Sequence, residues 1–471
     1  MKYHFIGICG AGMSAVAKLL IDQGHTITGS DEAFYPPISD YLEMNNIPCL
    51  TPFAKENIPK DVDYIVIGKH AKLVPEENEE VAQAFSSGKK IISFPEALKN
   101  LTMERDRIVV AGSYGKSTCS SLLAWCLGES SIDAGYFIGA LPITPPTNAQ
   151  IGTHSLFVLE GDEYPSANWD TTSKFLHYNP HHVLLTALAH DHVNVFPTHE
   201  DYITPFSELL ALVPEDGRIV VCLDDETIRS RAGDFTANDI ITYGLTEEAT
   251  WYATKIQYGD TTSFDLMHEG KFTGRYTTNL LGSHNIQNIV GVVAFILETT
   301  AITVPETIKA VKSFKGIVRR LDKKSELTRI PIYEGFGSSH DKARSAIEAI
   351  KLHFPHEKLY IIFEPHTFSW RNRAALHWYD TVFKEAEKVF IYKPPIHGTS
   401  SHDQLTHEEI LERVTATNVS VSGFTKPEEG RDLLLESVDE NSVILVLSSG
   451  GMDGLIPLIV SALNKQFSLK K

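Results

Sequence analysis

The chain has 471 residues, 42% of them hydrophobic and 22% charged, with a formal net charge of −18. That acidity argues against a nucleic-acid partner, because the phosphate-neutralising cations would be missing, and no apolar run approaches the roughly 18 residues a membrane span needs. The length allows about three domains, and the five cysteines (Cys9, Cys49, Cys119, Cys126, Cys222), odd in number and without metal spacing, read as buried thiols. A strand from Tyr3 leaves no room for a signal peptide, so the expected protein is soluble and cytoplasmic.

Tyr3–Ile8 reads as a short strand, and Gly10-x-Gly12-x-x-Ala15 after it matches the G/A form of the dinucleotide fingerprint. Met13, Val16 and Leu20 then share a helical face, and a second strand ends at Gly29-Ser30-Asp31. Asp31 stands nineteen residues past Gly12, where an acid reaches a ribose hydroxyl. This predicts a Rossmann-type domain with a nucleotide diphosphate on its first helix. It leaves the nucleotide open, NAD included, and a glycine-rich turn without ligand would look similar. Later strands follow at Asp63–Gly68 and Lys90–Ser93, and the polar stretch Asn100–Arg107 reads as a linker.

Ile108–Ala111 is an apolar strand leading into Gly112-Ser113-Tyr114-Gly115-Lys116-Ser117-Thr118, after which Leu122, Leu123, Cys126 and Leu127 recur at helical spacing. Strand, glycine loop and helix are what a triphosphate needs. Glycines let backbone N–H groups close on phosphate oxygens at a helix N-terminus, Lys116 can neutralise the β/γ-phosphates, and Ser117 can hold the accompanying Mg²⁺. The general pattern G-x-x-x-x-G-K-[ST] would want glycine where Val110 stands. The shorter form G-[ST]-x-G-K-[ST]-T fits from Gly112 to Thr118.

Ser155–Glu160 is the next buried strand, and its carboxyl end carries Glu160, Asp162 and Glu163. Ligands sit at such ends, so Glu160 is a candidate for Mg²⁺, while Asp162 and Glu163 read more readily as a solvated loop. Val183–Leu188 runs into Ala189-His190-Asp191-His192, where His192 could ligate a metal. The histidines around it (His177, His181, His182, His190, His199) lack a zinc pattern. Gly282-Ser283-His284-Asn285-x-x-Asn288 opens a helix, and its polar set fits either a nucleotide base or ribose or a helix cap. From Arg319 the strands Leu359–Phe363, Lys388–Tyr392 and Val443–Ser448 alternate with helical segments, a second Rossmann-like domain with a loop through Pro394, Pro395 and Gly398–His402. Arg371 and Arg373 could meet carboxylates there, or be ordinary surface arginines.

Taken together, Gly112–Thr118, Glu160, Gly282-x-His284-Asn285-x-x-Asn288 and Gly316-Ile317-Val318-Arg319-Arg320-Leu321-Asp322 resemble the motifs of the Mur ligase family in order and spacing, over essentially the whole chain. The family makes amide bonds in peptidoglycan metabolism at the expense of ATP. The resemblance implies an α/β protein of three domains: an N-terminal Rossmann-like UDP-sugar domain (1–105), a central P-loop ATPase-type domain (106–318) and a C-terminal Rossmann-like domain for the amino acid or peptide (319–471). Gly7-x-x-Gly10-x-Gly12-Met13 is similar to the UDP-cradling loop of the branch that takes UDP-N-acetylmuramate, which implies Gly7, Gly10, Gly12, Met13, Ser30 and Asp31 as its contacts.

The implied ATP contacts are Gly112, Ser113, Gly115, Lys116, Ser117, Thr118, His284, Asn285, Asn288 and Arg320, and the implied Mg²⁺ ligands are Ser117, Glu160 and His192, the last paired with Glu160. Lys116, Glu160, His192 and Arg320 would carry catalysis. Ser30-Asp31 with Tyr35–Pro37, Ser173–Tyr178 and Ser448–Gly451 favour a tripeptide acceptor, L-alanyl-γ-D-glutamyl-meso-diaminopimelate, in peptidoglycan recycling. Phe363–Ser369 is nearer the run of the members that add L-alanine, the alternative. A monomer or homodimer is expected. Three departures raise a second alternative, a nucleotide-binding paralogue with little or no catalysis. Ala187 and Ala189 replace polar residues of an Asn-Leu-Glu-Phe-Asp-His pattern, Gly335 stands where an acid is expected, and Tyr114 replaces His or Asn.

Overall fold

The structure is a computed structural model of the whole chain, in which residues 1–34, 38–192, 195–231, 233, 240–394 and 404–469 are described. Tyr35–Pro37 and the Pro395–His402 loop, both singled out in the sequence, lie outside the described residues. No described helix is long and apolar enough to cross a membrane.

Three sheets organise the chain. The first has β1 (Lys2–Ile6), β2 (Thr26–Ser30), β3 (Cys49–Leu50), β4 (Tyr64–Ile67) and β5 (Lys90–Ile92) in the order β3-β2-β1-β4-β5, all parallel. Its connections carry α1 (Ala11–Asp22), α2 (Ile38–Met44), α3 (Glu79–Ser86) and α4 (Phe94–Leu101). Order and crossovers are those of a Rossmann-like sheet, with the strand order reversing beside β1. The glycine loop after β1 therefore lies at the topological switch point.

The second sheet has ten strands: β6 (Asp106–Ala111), β7 (Gly135–Phe137), β8 (Ala149–Gln150), β9 (Leu156–Glu160), β10 (His182–Leu185), β11 (Arg218–Cys222), β12 (Ile240–Gly244), β13 (Trp251–Gln257), β14 (Thr262–His268) and β15 (Lys271–Thr278). Their order is β15-β14-β13-β12-β11-β10-β6-β9-β7-β8, which puts β6 between β10 and β9. Both neighbours are parallel to it. Its helices are α5 (Lys116–Glu129), α6 (His199–Ala211), α7 (Glu226–Arg231), α8 (Ser283–Thr299) and α9 (Val304–Ser313). Ile108–Ala111 are completely buried, as a strand covered on both faces must be. The arm from β12 to β15 is not visible as an apolar run, because residues of β13 beyond Ala253 alternate with exposed positions.

The third sheet has β16 (Arg320–Lys323), β17 (Ile332–Gly335), β18 (Lys358–Phe363), β19 (Lys388–Tyr392), β20 (Ser420–Phe424) and β21 (Ser442–Leu447) in the order β16-β17-β21-β18-β19-β20. Only the β16–β17 pair is antiparallel. One core on each face, one around Trp370 and Phe363 and the other around Ile444 and Leu455, accounts for its apolar residues. The chain divides into two compact units: Met1–Ile256, Phe264–Thr277 and His284–Phe314 form one, and Gln257–Ser263, Thr278–Ser283 and Lys315–Lys471 the other. The fold is thus α/β with three sheets, as expected.

One buried acid fastens the first sheet. Glu80, in α3, is fully buried beside His4. Its Oε1 accepts from Ser30 Oγ at 2.6 Å and lies 2.7 Å from His4 Nε2, while Oε2 accepts from the N–H of Ala54 and from Asn57 Nδ2, both at 2.9 Å. Burial alone would push the carboxyl up, but these four partners outweigh it and hold Glu80 below the usual carboxylate range. Its stabilisation is therefore complete above the unfolded carboxylate pKa of about 4.3 and is lost as the pH falls through the lower folded value. Glu80→Ala should cost at least about 3 kcal/mol by leaving four polar partners in the core. Thermal melts at pH 7 would show the lowered midpoint, and Glu80→Gln should also flatten the acid limb of the melting profile. Wild-type melting of Glu80→Ala at pH 7 would contradict this.

Candidate functional site

The glycine loop of the second sheet is shaped by its neighbours. Gly112 has φ +132°, and a Cβ there would stand 2.2 Å from Thr186 Oγ1 and 2.8 Å from the Ala187 nitrogen. Gly115, at φ +82°, caps α5, and its Cβ would meet Asn288 Oδ1 at 2.6 Å. Both positions demand glycine for conformation and for space. Thr186 Oγ1 donates to the Tyr114 carbonyl, the Ser113 N–H donates to Ala187 O at 2.9 Å, and Ser113 Oγ donates to Ala189 O at 2.6 Å. The residues after β10 thus grip the loop through main-chain carbonyls. Ala187 and Ala189 do so without any polar side chain.

Lys116 and Ser117 open α5, where first-turn N–H groups lack helical partners and favour an anion. Ser117 Oγ donates to Glu160 Oε1 at 2.8 Å, and the Gly139 N–H donates to Glu160 Oε2 at 2.8 Å. Lys116 Nζ donates to Gly112 O at 2.6 Å and to Glu163 Oε2 at 2.8 Å. Glu163 is only 1% exposed, and its Oε1, which has no hydrogen-bond partner among the described residues, lies 3.4 Å from His192 Nε2. His192 Nδ1 is 3.1 Å from the Tyr164 hydroxyl. Interaction with the Glu163 carboxylate holds the imidazole above its ordinary range, against the opposing effect of burial.

One expectation is corrected here. Glu163 does not sit in a solvated loop, because Lys116 and His192 draw it inward. His192 is in direct contact with this acid, while Glu160, bonded to Ser117 and Gly139, lines the same cavity.

Asp162 turns the other way. Its Oδ2 accepts from Lys174 Nζ at 2.5 Å and its Oδ1 from the Tyr164 N–H at 3.0 Å. Burial raises the Asp162 carboxyl, but Lys174 and the Tyr164 N–H overcome that and hold it below the usual range. Lys69 is lowered by burial and then by repulsion from Lys174. Lys69 does not stand out in sequence; it is found through the cavity it lines.

A cavity of about 740 Å³ joins the two loops. Gly7, Gly10, Gly12, Met13 and Asp31 line it from the first sheet, and Lys116, Glu160 and His192 from the second. Residues chosen from separate motifs therefore meet at one space, with Lys69, Lys72 and Lys174 as added cations. Gly12 faces Phe94 and Phe137, both cavity walls, at ordinary van der Waals distance from where a Cβ would stand. Asp31 Oδ2 accepts from the Cys9 N–H and Oδ1 from the Glu32 N–H, both at 2.8 Å, so it also braces the glycine loop.

Ser30 does not line the cavity, and its hydroxyl is committed to Glu80 in the core. Thr118, Asn285 and Asn288 are buried. Asn288 accepts from Cys119 Sγ at 3.4 Å and donates to Asn285 Oδ1 at 3.3 Å, supporting Gly115 from below. His284 lies in the same first turn of α8.

Other candidates have the following surroundings. Arg320 belongs to the second unit, where it is exposed, while Arg319 beside it bonds Glu334 at 3.0 Å and the Gly450 carbonyl at 2.6 Å. Gly335 lies in β17, its missing Cβ facing Leu447 at 3.0 Å. Arg371 is buried and bonded to Gln404 at 3.1 Å, and Arg373 pairs with Glu409 at 2.6 Å. His177 pairs with Asp170 at 2.9 Å, and His190 and His199 reach the Phe196 and Leu188 carbonyls.

The donor set suits Mg²⁺. It is a hydroxyl and carboxylate in hydrogen-bond contact at a phosphate-type loop. Among the described residues no group of three or more His, Cys, Asp or Glu could hold a metal alone. A hard cation that keeps waters and takes phosphate oxygens needs no more than one or two protein oxygens.

An α/β fold of parallel sheets with two glycine loops on one cavity is the frame on which nucleotide-binding proteins are commonly built. Residues 2–105 match the model described as Mur ligase family, catalytic domain, and residues 110–296 match the Mur ligase middle domain, together more than half of the chain. The chain belongs to the Mur ligase family and is a ligase by class. It is 28% identical to a UDP-N-acetylmuramate--L-alanine ligase of Desulfitobacterium hafniense over 96% of this chain and 97% of that one. It is 25% identical to the UDP-N-acetylmuramate--L-alanyl-gamma-D-glutamyl-meso-2,6-diaminoheptandioate ligase of Escherichia coli over 99% of both. A crystal structure of UDP-N-acetylmuramate-alanine ligase from Thermotoga maritima superposes with a TM-score of 0.77 over 99% of both chains, at 21% identity, and so shares the fold.

Gly112→Ala should destabilise the first unit by at least about 2 kcal/mol, since strain and a clash with fixed backbone add. The check is the melting temperature against wild type. No change would contradict the loop geometry.

Proposed function

We propose that the chain is an ATP-dependent ligase that joins the lactyl carboxylate of UDP-N-acetylmuramate to the amine of L-alanyl-γ-D-glutamyl-meso-diaminopimelate in peptidoglycan recycling. The observation that carries this reading is the shared cavity, lined by the Gly7–Met13 loop on one side and by Lys116, Glu160 and His192 on the other. In this reading residues 1–105 bind the UDP-sugar, 106–318 bind ATP, and 319–471 bind the acceptor.

The carboxylate oxygen attacks the γ-phosphorus, the bond from that phosphorus to the β–γ bridging oxygen breaks, and ADP leaves. The amine then attacks the acyl phosphate carbon, inorganic phosphate leaves, and the nitrogen loses a proton. Little of this asks for a protein nucleophile, so the chain's contribution is placement and charge. The helix start and Lys116 face the phosphates. Gly7, Gly10 and Gly12 let the first loop approach a pyrophosphate at the N-terminus of α1. Ser117 and Glu160 would hold Mg²⁺, with His192 nearby, and the ion would neutralise phosphate charge. Lys69 and Lys174 add positive charge to the cavity of an otherwise acidic protein.

A second acceptor, L-alanine, is favoured by the Phe363-Glu364-Pro365-His366 run and by the Desulfitobacterium relative. The non-catalytic alternative draws on Ala187 and Ala189, but their carbonyls still hold Ser113, which favours an intact loop.

The test is phosphate release from ATP with Mg²⁺ and UDP-N-acetylmuramate over an acceptor panel. The reading expects release on adding the tripeptide, dependent on every component. Faster release with L-alanine would select the second acceptor. No release with any acceptor, while both nucleotides raise the melting temperature, would mark a binding protein. Lys116→Ala should lower kcat at least about 100-fold, as loss of a group meeting developing phosphoryl charge does. A wild-type kcat would remove Lys116 from the reaction.

A further inference from the structure

Lys116 is already fully engaged. Its three ammonium protons have three protein oxygens within reach: Gly112 O at 2.6 Å, Glu163 Oε2 at 2.8 Å and, most weakly, Ser113 O at 3.5 Å. A phosphate oxygen reaches Nζ only by taking one of these places. Gly112 and Ser113 contribute carbonyls of the loop itself. Glu163 contributes the anion, on a side chain, and like a phosphate it interacts with Lys116 by charge. The two compete.

Glu163 cannot release Lys116 without consequence. It is 1% exposed, and among the described residues its Oε1 has no hydrogen-bond partner. A carboxylate so buried is strongly unfavourable without a partner. The described groups that face it are Lys116 on one oxygen, His192 Nε2 at 3.4 Å from the other, and the buried Tyr202 beyond. Asp162 is turned to Lys174, and Glu160 to Ser117. Once Lys116 moves to a phosphate, Glu163 keeps only His192 beside it, and a further cation in the cavity it lines would compensate its charge.

We propose that Glu163 is a positioning residue that competes with nucleotide phosphates for Lys116, so that a nucleoside triphosphate binds well only when a divalent cation accompanies it. This rests on the reading of Gly112–Thr118 as a triphosphate loop. Without nucleotide, the pair holds Lys116 in its loop-facing rotamer. When nucleotide and cation arrive together, Lys116 transfers to phosphate and the cation compensates the buried acid. Metal-free nucleotide gains Lys116 only by leaving Glu163 with His192 alone.

The experiment is calorimetric titration of the full chain with a non-hydrolysable ATP analogue, in EDTA and in Mg²⁺. Wild type, Glu163→Gln and the double variant Lys116→Ala/Glu163→Gln, with Lys116→Ala as its control, are compared, with melting curves for each. Glu163→Gln should tighten metal-free binding by about tenfold, the scale of one charge-assisted hydrogen bond, and shrink the gain from Mg²⁺ by a similar factor. In the Lys116→Ala background the same change should have little effect on metal-free affinity. With substrates present, Glu163→Gln should weaken the Mg²⁺ dependence of KM for ATP more than it changes kcat, because Lys116 has already left Glu163 once the phosphates are bound. If Glu163→Gln melts too low, Glu163→Asp, whose shorter reach weakens the pair, should shift metal-free affinity the same way by less.

Unchanged or weaker metal-free binding in Glu163→Gln, with wild-type binding intact, overturns the competition. Equal tightening with and without Lys116 overturns it as well. Failure of the wild type to bind the analogue in either buffer instead overturns the triphosphate reading beneath it.

Discussion

Lys116 and Glu163 are bonded across forty-seven residues of chain, and the parallel register of two strands makes that contact possible. β6 and β9 run side by side with Val110 opposite Glu160, so both strands end at the same edge of the sheet. The loop leaving one and the acids leaving the other must then share a space. β10 ends there too, with Leu185 beside Ala111, and brings Thr186, Ala187, Ala189 and His192. Three short, buried, parallel strands thus place a cation, two acids and an imidazole together at the carboxyl edge, where open α/β sheets hold their ligands.

The first sheet repeats the device with different means. Its glycine loop follows β1, the strand beside which the order reverses, and faces the same cavity as the phosphate loop. What keeps that loop in shape is a set of acids doing structural tasks. Asp31 accepts backbone N–H groups of Cys9 and Glu32, and Glu80 ties α3 to β1, β2 and the 54–57 turn. In a chain of net charge −18, a favourable field for phosphates has to be local. Lys69, Lys72, Lys116 and Lys174 stand around one cavity, three of them already partnered, by Glu32, Glu163 and Asp162.

Much of this was legible in the residues. Apolar runs such as Ile108–Ala111 and Leu359–Phe363 are strands because sheets covered on both faces leave no polar positions to confuse the pattern. The Gly112–Thr118 loop was legible because a glycine with positive φ against fixed neighbours admits no other residue. The misread parts share a physical cause. Glu163 read as a surface acid since a charge is buried only when its partners are, and those partners, Lys116 and His192, are remote in sequence. Ser30 was implied together with Asp31 by the resemblance, and its hydroxyl bonds Glu80, a partner fifty residues away that the sequence does not place beside it. The β13–β15 arm escaped notice because its exposed positions break the apolar signal.

The central claim is that this cavity activates a carboxylate by phosphorylation. It is tested most directly by following oxygen: UDP-N-acetylmuramate labelled with ¹⁸O in its lactyl carboxylate is turned over with ATP, Mg²⁺ and acceptor, and the inorganic phosphate is analysed by mass. Activation through an acyl phosphate transfers one labelled oxygen to each phosphate released. Unlabelled phosphate, formed while ATP is consumed, would show that water and not the carboxylate attacks the nucleotide, and would contradict the account.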